Sequence, residues 1–166
     1  ALISNLDIDV VLVDATEREV ERPPKNKSNI TPQEEKNTLK AQLIVDAKTL
    51  NIICVNFERG HVHDFRIFKE CGAFIPNRIK VLADSGYQGI EKIHKNSLIP
   101  IKSSKNHKLT SDEKAYNRAI AKQRIFIEHV NRYIKRFRIF SSRYRNRRHL
   151  FGLRFSLICG IFNRQH

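Results

Sequence analysis

The sequence contains no methionine and no tryptophan, and only three cysteines among its 166 residues. The lack of methionine even at position 1 suggests a piece of something longer. Cys54, Cys71 and Cys159 are widely spaced, odd in number and in no CxxC pattern. That excludes a disulfide framework and reads as reduced intracellular thiols. Long apolar runs are also missing. Val10–Val13 and Leu157–Phe162 are far shorter than the ~20 residues a membrane span needs. Asp7 and Asp9 stand where an export signal would need basic residues. The last scarcity is of acid, and it is local. Residues 1–101 balance 14 basic against 14 acidic residues, whereas 102–166 hold 17 basic and 3 acidic, which supplies the whole net charge of +14.

One-sided charge of that kind fits a polyanionic partner, nucleic acid before membrane. Arg132, Lys135, Arg136, Arg138, Arg143, Arg145, Arg147 and Arg148 crowd together, interleaved with Tyr133, Phe137, Phe140 and Tyr144. Arginine grips phosphate bidentately, and aromatics stack on bases or fill a core; composition leaves both roles open for these four. A hydrophobic fraction of 40% is that of one folded domain over residues 1–166, with a basic C-terminal segment from 132 onward.

Hydrophobic patterning predicts a buried strand over Ile8–Val13 that ends at Asp14, a polar Pro-bearing loop over 21–37, and a hairpin from Leu39–Asp46 and Ile52–Phe57. A helix over His63–Cys71 stops at Gly72. A short strand at Ile79–Ala83 ends at Asp84, followed by a short helix over Gln88–Lys95 and a strand at Leu98–Ile101. Thr110 and Glu113 form a capping-box pattern that opens a long helix to about Phe137, and a last helix covers His149–Phe162. The order β-β-β-α-β-α-β-α describes an α/β domain with a mixed sheet flanked by helices.

Three acids draw attention. Asp14 and Asp84 each follow an apolar strand, where open α/β sheets place reactive groups; either alone reads first as a turn former or helix N-cap, and two in one chain shift the balance toward a site. Glu128 lies on the long helix. At ~100° per residue it shares a strip with Arg124, Asn131, Arg132 and Lys135, while Tyr133, Phe126, Phe137 and Val130 fall opposite. Its ordinary role would be an i,i+4 ion pair with Arg124; its sharper role is a carboxylate facing the sheet edge. His61 and His63 form an H-x-H-D string that is a weak metal signal, and Asp64 reads first as a helix N-cap.

The segments Val13–Glu17, Val81–Gly89 and Arg124 through Glu128 to Lys135 resemble the three catalytic segments of insertion-sequence transposases of the IS5/IS4 type, which are DDE enzymes. Arg124, Glu128 and Lys135 follow that family's R-x3-E-x6-K spacing, and Arg143–Arg148, Phe151–Phe155 and Ile161–Asn163 resemble its C-terminal stretch. Gly60 with His63 and Asp64 resembles its Gly…His-Asp segment. Ala121 replaces a tyrosine usual in the third segment, and Thr31–Glu35 replaces a basic, Gly-bearing one.

This resemblance implies a ribonuclease-H-like fold and a catalytic domain that cuts transposon-end DNA and joins it to target DNA. Asp14, Asp84 and Glu128 would hold two Mg²⁺ or Mn²⁺ ions, with Asp14 bridging them. Arg124, Lys135 and the cluster Arg132, Arg136, Arg143, Arg145, Arg147 and Arg148 would hold DNA phosphates; His63 and Asp64 are secondary candidates. It implies no small-molecule cofactor, a cytoplasmic, nucleoid-associated setting, a homodimer as a plausible state, and an upstream helix-turn-helix region that these 166 residues lack. A ribonuclease-H-like nuclease that is not a transposase, or an inactive basic nucleic-acid-binding remnant, are the competing readings.

Overall fold

The computed structural model describes residues 7–21, 38–71, 75–105, 107–145 and 148–165. All but the first residue of the expected 21–37 loop lies outside these residues, as do Gly72 and Arg147. Five strands form one sheet in the order β3-β2-β1-β4-β5: β1 Val10–Glu19, β2 Thr38–Asp46, β3 Ile52–Arg59, β4 Lys80–Leu82 and β5 Ser97–Leu98. The first three pair antiparallel, whereas β4 and β5 run parallel to β1. With α1 Asp64–Glu70, α2 Ser111–Lys135, α3 Arg138–Ser141 and α4 Phe151–Gln165, this is the expected ribonuclease-H-like arrangement.

The sheet is buried on both faces because its strands alternate between two apolar sets. Leu12, Leu43, Val45 and Leu82 face α2, α3 and α4, where Ile127, Val130, Ile134, Phe140 and Phe155 complete one core. Val11, Val13, Ile44 and Val81 face the other way, against Phe68, Tyr87 and Ile90. Along α4, Asn163 closes the outer edge by bonding both the amide and the carbonyl of Ile52 at 2.8 Å. Thr110 and Glu113 make both bonds of the capping box that starts α2.

Several local expectations change. β1 does not end at Asp14 but continues to Glu19, because β2 pairs with it as far as Thr38 and satisfies the backbone of a polar stretch. Between β4 and β5 the chain makes two 3₁₀ turns, Ser85–Tyr87 and Ile90–Lys92, instead of a helix over Gln88–Lys95. Gly89 sits between them at φ 92°, a left-handed backbone that interrupts helical winding. The long helix stops at Lys135, and the short α3 follows. Phe140 and Tyr144 are fully buried and fill the interior, while Tyr133 and Phe137 are half-buried and pack against the same core.

Candidate active site

Register brings the two strand acids together. The parallel pairing of β1 and β4 ends at Leu12 opposite Leu82. Asp14 and Asp84 are each two residues further on, so both lie just past the end of the parallel pairing, Asp14 within β1 and Asp84 beyond β4, close to where open α/β sheets bind ligands. Asp84 then caps the first 3₁₀ turn, its Oδ1 accepting from the Gly86 amide at 2.7 Å. Asp14 lies inside β1, facing α2.

The third acid comes from α2. The buried stripe of that helix is Ile120, Ile127, Val130, Asn131 and Ile134, while Phe126 is 46% exposed. The isoleucines, spaced by seven, set the inward face more than the aromatics do. Glu128 is therefore on the flank of the buried stripe, roughly a quarter-turn away and not opposite it. From there it lines a cleft of about 300 Å³ together with Asp14, Thr16, Asn131, Arg132 and Lys135.

Both oxygens of Asp14 are engaged by α2. Arg124 donates to Oδ1 at 3.4 Å and Asn131 Nδ2 donates to Oδ2 at 2.8 Å. Asn131 Oδ1 and Arg124 Nε are buried without a partner. Burial raises the Asp14 carboxyl to about 6; Arg124 opposes this, and the negative charges of Asp84 and Glu128 add to it. The three acids thus share one electrostatic neighbourhood.

A second row lies on the opposite side of Asp84. Asp64, expected as an N-cap, is instead the first residue of α1, after an exposed His63 whose side chain makes no capping bond. Lys40 takes Asp64 as an ion-pair partner at 2.8 Å. A Cβ on Gly86 would come within 3.0 Å of Asp64 Oδ2 and within 2.9 Å of Asp84 Oδ1, so this glycine lets the two carboxylates converge. The Tyr87 hydroxyl beneath them is buried without a partner. Burial first, then Asp64, Asp14 and Asp84, hold it far above the ordinary phenol range. Sequence reasoning gives no role to Lys40 or Tyr87, and places Asn131 beside Glu128 without one. Only Asn131 left a signal, as a polar residue beside an isoleucine stripe.

The expected phosphate-binding cations divide into groups. Arg124 is tied to Asp14, and Arg132 and Lys135 line the cleft. Arg136 stacks over Tyr133 at 5.5 Å. Tyr144 bridges Val20 at the far end of β1 and points inward, so its neighbours point outward: Arg143 pairs with Glu19 at 3.5 Å and Arg145 with Glu21 at 3.2 Å. Arg148 begins a 3₁₀ turn, Arg148–Leu150.

Together, sheet order and acid placement define a domain of the ribonuclease-H-like class with carboxylates just past the parallel pairing of its strands. The family described as "Transposase DDE domain" matches residues 5–162, and the chain belongs to that family. It is 48% identical over 156 residues to the probable transposase for insertion sequence element IS702 of Microchaete diplosiphon, covering 93% of this chain. The chain spans 56% of that relative's length. No solved structure matches it.

DDE transposases as a family use divalent metal ions. Among the described residues no group of three His, Cys, Asp or Glu side chains is gathered tightly enough to hold one ion. The donor chemistry nevertheless fits: carboxylate oxygens are hard ligands suited to Mg²⁺ or Mn²⁺. The repulsion that Asp84 and Glu128 exert on Asp14 is what a cation relieves, and the cleft between Asp14 and Glu128 has room for it.

Proposed function

We propose that the chain is the catalytic domain of a transposase that cuts transposon-end DNA and transfers the freed strand to target DNA. The observation that carries this reading is the meeting of Asp14, Asp84 and Glu128 in one electrostatic neighbourhood, in a chain of the DDE family. Asp14, Asp84 and Glu128 would hold Mg²⁺ or Mn²⁺, with Asp14 shared between two ions. Divalent ions held there would polarise a phosphodiester and stabilise charge on its entering and leaving oxygens.

The remaining roles belong to side chains. Arg132 and Lys135, on the cleft wall beside Glu128, hold the phosphates flanking the scissile one and orient the strand without reading its sequence. Arg124 keeps Asp14 ionised by its positive charge. Arg136, Arg143, Arg145, Arg147 and Arg148 extend the path for flanking or target DNA. His63 stays a secondary candidate and Asp64 acts beside Asp84. Two copies would pair two transposon ends, and the enzyme would work at the nucleoid. Among the described residues no helix is long and apolar enough to cross a membrane.

The test is cleavage and strand transfer on a labelled duplex with Mn²⁺ or Mg²⁺, comparing wild type with Glu128→Gln. Wild type cuts and joins; the variant binds DNA but does neither. Cutting without joining supports a plain nuclease, and equal cutting by both proteins removes Glu128 from the site.

A further inference from the structure

The amide of Asn131 is used on one side only. Nδ2 donates to Asp14 Oδ2 at 2.8 Å, while Oδ1 is buried and has no partner. The residue itself is 6% exposed and sits in the helix face formed by Ile127, Val130 and Ile134. An aliphatic side chain would suit that stripe, and a buried acceptor left unpaired is unfavourable. Yet Asn131 also lines the cleft that holds Asp14 and Glu128.

From this geometry we infer that Asn131 is a positioning residue for the acid site, acting on the cation through Asp14. The inference rests on the metal-dependent reading above. One donor on Oδ2 fixes the rotation of the Asp14 carboxylate. That leaves Oδ1, which has only the longer 3.4 Å contact from Arg124, as the oxygen free to ligate. Asn131 stands one turn beyond Glu128 and two beyond Arg124 on the same side of α2, so the same bond sets the helix, and with it Glu128, against β1.

Titration with Mn²⁺, reading the free ion by electron paramagnetic resonance, tests this on wild type, Asn131→Leu and Asn131→Ser. Thermal unfolding in EDTA runs alongside. Outer partners of metal ligands typically change metal affinity by 10–100-fold when removed, so both variants are expected to bind Mn²⁺ at least ~10-fold more weakly. Asn131→Leu is expected to unfold no earlier than wild type in EDTA, because the leucine joins an apolar stripe. Should that variant fail to fold, Asn131→Ser decides. Wild-type Mn²⁺ affinity in a folded variant overturns the inference, as does a loss of binding no larger than the loss of folded protein. If wild type itself binds no Mn²⁺, the metal reading falls and takes this inference with it.

Discussion

Replacing Asp14 with asparagine should stabilise the metal-free protein while abolishing its chemistry. The Asp14 carboxyl is raised from 3.8 to about 6, chiefly by burial and further by Asp84 and Glu128. A shift of about two units corresponds to roughly 3 kcal/mol of folding free energy lost when the group is ionised. Asparagine keeps an oxygen to accept from Asn131 but leaves Arg124, whose side chain is 17% exposed, without a carboxylate. The shift to about 6 already includes the opposing charge of Arg124, so the remaining cost is that of turning an asparagine amide Nδ2 toward the guanidinium; setting about 1–2 kcal/mol against it leaves a net gain of about 1–2 kcal/mol at pH 7.5. For a domain of this size that is a Tm increase of roughly 2–8 °C. The sign follows from proton binding: the folded state holds the Asp14 proton more tightly than the unfolded chain. The contribution of Asp14 to wild-type stability is therefore most favourable below the unfolded value of 3.8 and is lost as pH rises through about 6. The gain of Asp14→Asn over wild type should grow across that window and level off above it. Thermal unfolding in EDTA from pH 4 to 8 reads this directly. A variant less stable than wild type at pH 7.5, or a difference that does not change with pH, refutes the reasoning. Mn²⁺ should narrow the gap by stabilising wild type alone.

Other perturbations address other parts of the molecule. Tyr87→Phe removes a buried hydroxyl that has no partner, so urea unfolding should show stability unchanged or raised by up to about 1 kcal/mol. Arg143→Ala and Arg145→Ala break exposed pairs with Glu19 and Glu21, and each should change stability by less than about 1 kcal/mol. In DNA-binding titrations each should weaken affinity and lower the salt slope by about 1. Burial pushes the Cys159 thiol up to about 12. Iodoacetamide at pH 7.5, followed by peptide mass mapping, should leave Cys159 unmodified in the native protein and modify it in urea.

Much of this architecture is legible in the residues, and the exceptions have physical causes. The hairpin of β2 and β3, the strands before Asp84, and the capping box of α2 follow from periodicity and local hydrogen bonding, which short stretches of sequence carry. The extension of β1 past Asp14 does not, because Ala15–Glu19 is polar and extended only by pairing with β2. The inward face of α2 differs from the aromatic side marked by Phe126 and Tyr133, because three isoleucines spaced by seven set it. For the site, Asp14, Asp84 and Glu128 stand at positions that spacing and resemblance expose, and the structure sets their charges on one another. The Lys40–Asp64 pair, the glycine between Asp64 and Asp84, and the Asn131 bond are long-range contacts. No local pattern encodes such partners, since each depends on which strand lies beside which.

The central claim is that Asp14, Asp84 and Glu128 form one divalent-cation site. Iron-promoted cleavage of the protein's own backbone tests it most directly. Fe²⁺ occupying a Mg²⁺ site generates, with ascorbate and peroxide, hydroxyl radicals that cut only the nearest peptide bonds. The account predicts fragments from cuts close to residues 14, 84 and 128, all suppressed together by excess Mg²⁺ and all lost in Glu128→Gln. Cuts confined to other parts of the chain, or cuts at these positions that persist in excess Mg²⁺, would contradict it.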